Sequence, residues 1–284
     1  MKSFSQKFHS YMDTHPRLKK AQSFVELAIL LPALLIMLLG VVELSFMISQ
    51  YLDLLDLTRE AARFASVRDP FDNVSDDQDC STQELFDFFY DTACIFSPPS
   101  NSGKCNGIST DPNHSPFCNG LNPYIDLDPD TDDIVIRVFT ISDKDGYSVD
   151  NIWPDTSTTD FPVFTKERHD HNDKYWAWSN NDEGSDFSGA SSVLADNWRY
   201  DCQGNEVRTE PYYTEDTVND RLNSGGLANG MTTKKGFVSV ELYYCYHHVL
   251  HLPVWTAIVS DPLRLHAYTI MALPAGAPTP TPLP

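Results

Sequence analysis

From Phe24 to Ile48 the chain is almost wholly apolar, interrupted only by Glu26, Pro32, Gly40, Glu43 and Ser45. At about 1.5 Å per helical residue this stretch is roughly 37 Å long, enough to cross a hydrocarbon layer of about 30 Å with some tilt. Arg17, Lys19 and Lys20 precede it, and Asp53 and Asp56 follow. That asymmetry predicts a cytoplasmic N-terminus and places the residues beyond about position 50 on the other side of the membrane.

A removable signal peptide is the competing reading. The apolar run exceeds the usual signal core of about 7–15 residues, and no small-x-small cleavage site follows it. Glu26 is costly in such a segment, about 2.5–3.5 kcal/mol if held at depth, unless a partner or the nearby interface offsets it. Pro32 removes a helical hydrogen bond and is expected to bend or loosen the helix. Gly40 reads as a packing site, and Glu43, close to the outer interface, as a solvated surface position.

The helix is expected to continue past the membrane. Tyr51, Leu54, Leu55, Thr58, Ala61, Ala62 and Ala65 recur at offsets of three and four, with Asp53, Asp56, Glu60 and Arg63 on the other side. Asp56 with Arg59 and Glu60 with Arg63 are acid-before-base pairs three residues apart. Asp69-Pro70 ends the segment, because a residue before proline is pushed out of helical geometry.

The net charge is −20, yet residues 1–21 carry five of the twenty Lys and Arg and one acid. The remainder is therefore still more acidic, which excludes a nucleic-acid partner on electrostatic grounds. Cys80, Cys94, Cys105, Cys118, Cys202 and Cys245 all follow the apolar run. An even number on the far side of a membrane suits an oxidising compartment and disulfide pairing, whose pattern the sequence leaves open.

The junction Ala21-Gln22-Ser23-Phe24-Val25-Glu26 resembles the signal sequence of type IV prepilins, in which a prepilin peptidase cuts after a small residue. The resemblance implies a cut between Ala21 and Gln22, with Glu26 as the fifth residue of the mature chain. Family members carry glycine before the cut, where this chain has alanine. The longer pattern from Ala21 to Ala28, with Leu31-Pro32 and Gly40-Val41-Val42-Glu43, resembles the TadE-like minor pseudopilins of tight-adherence pilus systems. Thr58-Arg59-Glu60-Ala61-Ala62-Arg63-Phe64-Ala65 matches that family's second landmark, and Phe237–Tyr246 with Leu263–Met271 is similar to its closing elements.

On this basis the chain divides into a basic leader (1–21), a transmembrane and amphipathic helix (22–69), an extracytoplasmic α+β domain with disulfides (70–273) and a Pro/Thr-rich tail (274–284). A short helix is expected from Thr82 to Thr92, and strands over Asp133–Ser142, Gly236–Val249 and Leu263–Leu273. In the second strand Val238, Val240, Leu242 and Tyr244 should face the core, with Phe237, Ser239, Glu241, Tyr243 and Cys245 opposite. The expected fold is pilin-like α+β, the long helix packed on a small antiparallel sheet, with residues 143–235 as a large loop-rich insertion.

No catalytic motif declares itself, and neither a cofactor nor a metal is expected. The acidic runs Asp126–Asp133 and Asp143–Gly146 read as solvated loops, with calcium sites as the alternative. His169, His171 and Asp173, and separately His247, His248 and His251, read as polar surface residues, with transition-metal sites as the alternative. Trp176, Trp178, Trp198 and Trp255 read as core or loop anchors, with a sugar-binding face as the alternative. The expected function is non-enzymatic: a pseudopilin in the cytoplasmic membrane that is cut by prepilin peptidase and packs with other pilin-like subunits through Glu26, Pro32 and Glu43. The alternative is a membrane-anchored adhesin or carbohydrate-binding module with a surface glycan as partner.

Overall fold

The computed structural model describes residues 16–70, 88–96, 125, 127–128, 131–142, 147–154, 174–181, 196–224, 235–256 and 259–276. Their contacts group the chain into two compact units, Met1–Ser49 with His248–Val259, and Gln50–His247 with Ser260–Pro284. The elements in order are α1 (Pro16–Ser66), α2 (Phe88–Ala93), β1 (Asp133–Ser142), β2 (Ser148–Trp153), β3 (Trp176–Ala177), α3 (Trp178–Asn181), a 3-10 turn (Asn197–Arg199), α4 (Glu215–Asn223), β4 (Lys235–Tyr246), α5 (Pro253–Thr256) and β5 (Leu263–Gly276). The α+β class expected from the sequence is the one observed.

Helix α1 runs through Pro32 and ends at Ser66, three residues before Asp69, where Arg68 N–H donates to the Ala65 carbonyl. From Phe24 to Leu39 every side chain is exposed, although nearly all are apolar. Among the described residues this is the one helix long and apolar enough to cross a membrane. A soluble protein's core helix would bury such a surface; this one leaves it outward on all sides.

Within the larger unit the last turns of α1 follow the expected amphipathic pattern. Leu54, Leu57, Thr58, Ala61, Ala62 and Ala65 are buried, while Asp56, Arg59 and Arg63 are exposed. Arg59 and Asp56 meet at 3.1 Å, as their spacing predicts. The alanines belong to the buried cluster that this helix shares with the sheet, and Thr269 Oγ1 donates to Thr58 Oγ1 at 3.3 Å.

The sheet is antiparallel, in the order β2-β1-β4-β5, and β3 pairs with β1 over Val135 and Ile136. Register pairs Ile134 with Leu242, Ile136 with Val240 and Val138 with Val238. These six side chains, with Ala267 and Leu273 of β5, form one buried cluster with α1 and with Phe88 and Phe89 of α2. The expected core face of β4 is therefore the helix-facing one.

Two expectations need correction. The sheet has β2 and β3 in addition to the three strands anticipated, both contributed by the stretch read as an insertion. The second face of β4 is not an outer surface: Phe237, Ser239, Glu241, Tyr243 and Cys245 are all buried. Residues 196–224, within the supposed loop-rich insertion, cover it. Val218 and Leu222 of α4 pack with Tyr213 on Phe139, Ile141, Ile152 and Phe237. Thr214 caps α4 by accepting the Thr217 N–H at 3.2 Å, and Glu215 and Asp216 complement the helix dipole in its first turn. Polar residues interleaved with aromatics hide this layer from periodicity, because its burial rests on tertiary contacts.

Cys202 of the covering layer is bonded to Cys245 of β4, with Cα atoms 5.7 Å apart and a sequence separation of 43. Cys94 is disulfide-bonded as well, and among the described residues no cysteine is free. Cys80, Cys105 and Cys118 lie outside the described residues. The double substitution Cys202→Ser with Cys245→Ser should cost about 2–4 kcal/mol by lengthening the open chain of the unfolded state. Denaturant titration of the full chain in detergent, with and without reductant, measures it: wild type should lose stability on reduction, and the variant should lose less.

Candidate functional site

The N-terminal half of α1 carries the residues that the sequence singles out. Ala21 and Gln22 fall within the helix, as does Pro32, and Glu26 is exposed one turn further along. Among the described residues no element covers the helix here, and its surface from Phe24 to Leu39 is exposed.

Seventeen residues on, the situation reverses. Glu43 is 1% exposed, so the expectation of a solvated surface carboxylate does not hold. Its Oε1 accepts the Val249 N–H at 2.8 Å and lies 3.2 Å from His248 Nδ1, while Oε2 accepts the Leu250 N–H at 2.8 Å. Two backbone donors and an imidazole thus surround a carboxylate that sits among exposed Val41, Val42, Leu44 and Phe46. One helical turn earlier, a Cβ added to Gly40 would touch the Trp255 ring at 3.5 Å, an ordinary contact distance. The indole therefore lies beside the helix at Gly40, with room for a methyl group between them.

Among the described residues the larger unit buries five more carboxylates, Asp91, Asp132, Asp133, Asp196 and Glu241. Asp132 Oδ1 accepts the Cys245 N–H at 2.7 Å, and its Oδ2 accepts the Asp128 N–H at 2.8 Å. Asp133 accepts from Ser179 N at 3.0 Å, Ser179 Oγ at 2.7 Å, Ile134 N at 2.9 Å and Trp198 N at 3.1 Å. These two end the acidic run read as a solvated loop, and they are instead interior ties, Asp132 to β4 and Asp133 to Ser179 and the covering layer. Burial pushes Asp132 up to about 6 and Asp133 up to about 7, against the pull of those donors.

Glu241 accepts the Tyr212 and Tyr213 N–H groups at 2.9 Å and the Tyr243 hydroxyl at 2.5 Å. His266 Nε2 stands 3.4 Å from it, an ion-pair separation and not an aligned hydrogen bond. Burial pushes Glu241 up, but His266, Tyr243 and the Tyr213 N–H outweigh it and hold the carboxyl below its usual range. Burial, together with the Glu241 charge, raises the Tyr243 phenol. The ring of aromatics around this carboxylate is occupied by internal bonds: Arg221 donates to the Tyr213 and Tyr212 hydroxyls at 3.0 and 3.3 Å, and Arg137 to the Tyr213 carbonyl at 2.7 Å. Its chemistry is structural.

His247 and His248 take different partners, Asp261 at 3.7 Å and Glu43, and His251 is exposed, so this histidine set does not converge. Trp176, Trp178 and Trp198 are buried anchors, and Trp255 is half-buried. His169, His171, Asp173 and the run Asp143–Gly146 lie outside the described residues. What sequence reasoning missed is the stretch His248–Trp255. The signal for it was an acid inside an apolar run, which requires donors at its own depth, and the one loop rich in apolar residues between two strands.

Residues 21–63 match the family model described as TadE-like protein. No curated protein and no solved structure matches the chain. The matched stretch is the one that carries the resemblance at the N-terminal end, and it includes Glu26, Pro32 and Glu43.

Two outcomes follow from this geometry. Glu43→Ala strands the Val249 and Leu250 N–H groups and should cost about 2–4 kcal/mol locally, seen as faster amide exchange across residues 248–256 with the sheet strands unaffected. The raised carboxyls give the second. A folded pKa above the unfolded value of about 4 means that the folded state binds more protons, so stability falls as pH rises from about 4 to 7. Asp133→Asn should flatten that slope by at most about 1.4 kcal/mol per pH unit, measured as thermal midpoints at several pH values.

Proposed function

We propose that this chain is a membrane-anchored, TadE-like pseudopilin that takes part in assembling or priming a tight-adherence pilus or a related secretion apparatus. The observation that carries the reading is the coincidence of two facts: residues 21–63 match the TadE-like model, and within them the apolar surface of α1 from Phe24 to Leu39 is exposed on every side. A helix of that kind is suited to lateral packing in a bilayer, first with lipid and then with other pilin-like helices.

In this reading the N-terminus is cytoplasmic and the sheet-bearing unit extracytoplasmic, where the Cys202–Cys245 disulfide is stable. Prepilin peptidase cuts between Ala21 and Gln22. The new α-amino group lies about one helical turn from Glu26, and the amino group of a neighbouring subunit neutralises that carboxylate as the helices bundle. The protein acts by packing and catalyses nothing. The buried state of Trp176, Trp178 and Trp198 gives the carbohydrate-binding alternative no support.

Mass spectrometry of the protein from its native envelope should find Gln22 at the N-terminus, and an intact leader beside an active peptidase would overturn the cut. Glu26→Ala should leave membrane insertion intact, because it removes a charge from an apolar segment. Co-purification with pilin-like partners should fall several-fold in that variant. Undiminished co-purification would reduce Glu26 to a carboxylate at headgroup level.

A further inference from the structure

The span and the β4–β5 loop share a feature that a pseudopilin role does not require. Glu43 lies about 25 Å along the helix axis from Glu26, and Gly40 about 21 Å, so both fall within a hydrocarbon layer of about 30 Å if Glu26 marks one edge. At that level Val41, Val42, Leu44, Phe46 and Ile48 still point outward, so the helix surroundings are apolar on the sides the loop leaves open. The loop residues that grip Glu43 and lie on Gly40 are therefore at the same depth.

The loop is built for that depth. Irregular backbone is tolerated inside a bilayer only where its polar groups are satisfied by protein. Here Val249 and Leu250 donate to Glu43, and Trp255 and Thr256 both donate to the Leu252 carbonyl at 2.9 Å as α5 forms. Val259 donates to the Trp255 carbonyl at 2.9 Å. Glu43 needs donors away from water, and the loop needs an acceptor; each meets the other's demand. Outward the loop offers Val249, 54% exposed, with Leu250, Leu252 and Trp255 half-buried. Tryptophan at the edge of an apolar layer is the residue type that membrane interfaces favour.

We propose that residues 248–256 form an interfacial membrane element, seated in the leaflet reached by the C-terminal end of the span, with lipid as the occupant of the surface around Val249, Leu252 and Trp255. The proposal rests on α1 crossing the bilayer and not on the pilus reading. It makes the loop a second membrane contact that fixes the rotation of the span.

The full chain reconstituted in phosphatidylcholine vesicles, with and without acyl-chain bromination, tests this through tryptophan emission. Trp153, Trp176, Trp178 and Trp198 are buried in the sheet-bearing unit and shielded from lipid. Brominated lipid should quench up to about a fifth of the wild-type emission, the share of one tryptophan in five. In Trp255→Phe, a substitution that keeps a ring against Gly40, that loss should vanish. Adding Met37→Trp in the Trp255→Phe background should restore quenching from the middle of the span. Quenching from Met37→Trp without any excess of wild type over Trp255→Phe would place the loop in water or on protein and overturn the proposal while leaving the span intact. Absence of both signals would remove the span, and the proposal with it. The pilus reading is judged separately, by the Gln22 terminus.

Discussion

Taking a carboxylate away from water demands donors, and Glu43, Asp132, Asp133 and Glu241 show how that demand organises this chain. Each sits on a regular element, α1, β1 and its entry, or β4, and each draws at least one backbone N–H from outside the α-helices and strands, Asp132 taking a second from Cys245 of β4. The acid is the fixed point and the loop is the part that is shaped. Removing one such acid leaves buried N–H groups without acceptors, which costs more than the hydrogen bond itself contributed. A loop tied in this way has a single low-energy path, although its residues show no periodicity.

The same reasoning distinguishes the two acids of the apolar span. Glu43 is enclosed by its own chain, so its charge makes no claim on a neighbour. Glu26 stays on an exposed surface, where a second helix has access to it. Two glutamates in one apolar run therefore take different parts: one fixes a local structure, and the other is placed for an intermolecular partner in the proposed reading. Treating both as assembly residues, as the sequence pattern suggests, merges two physical situations that differ in solvent access.

Legibility followed periodicity. The span, the alanine-lined stripe from Leu54 to Ala65, β1, and the choice of Val238, Val240 and Leu242 as the core face of β4 were all readable, because each is a repeat of 3.6 or 2 in apolar residues. The covering layer over Glu241 and Tyr243 was not readable. Beside Trp198, Val218 and Leu222 it relies on Tyr, Arg, Asp and Asn, which pack by hydrogen bonds and ring contacts to positions far away in sequence, such as Arg137 to Tyr213. Asp132 and Asp133 looked solvated for the same reason: the donors that make their burial tolerable, Ser179, Trp198 and Cys245, are 46 to 113 residues distant.

Burial on both faces also bears on what the sheet-bearing unit offers to partners. Its buried aromatic residues and buried acids are occupied by internal bonds, whereas Asp150, Glu206, Glu210, Glu215, Asp216 and Asp220 remain at its described surface. The exposed surface that is chemically distinctive belongs to α1, where apolar side chains face outward without interruption from Phe24 to Leu39. A chain that satisfies its polar groups internally while leaving one long apolar surface uncovered concentrates its capacity for association there. Association through that helix proceeds by apolar packing, and in the proposed reading the first helical turns after Gln22 are the place where specificity between like helices would be decided.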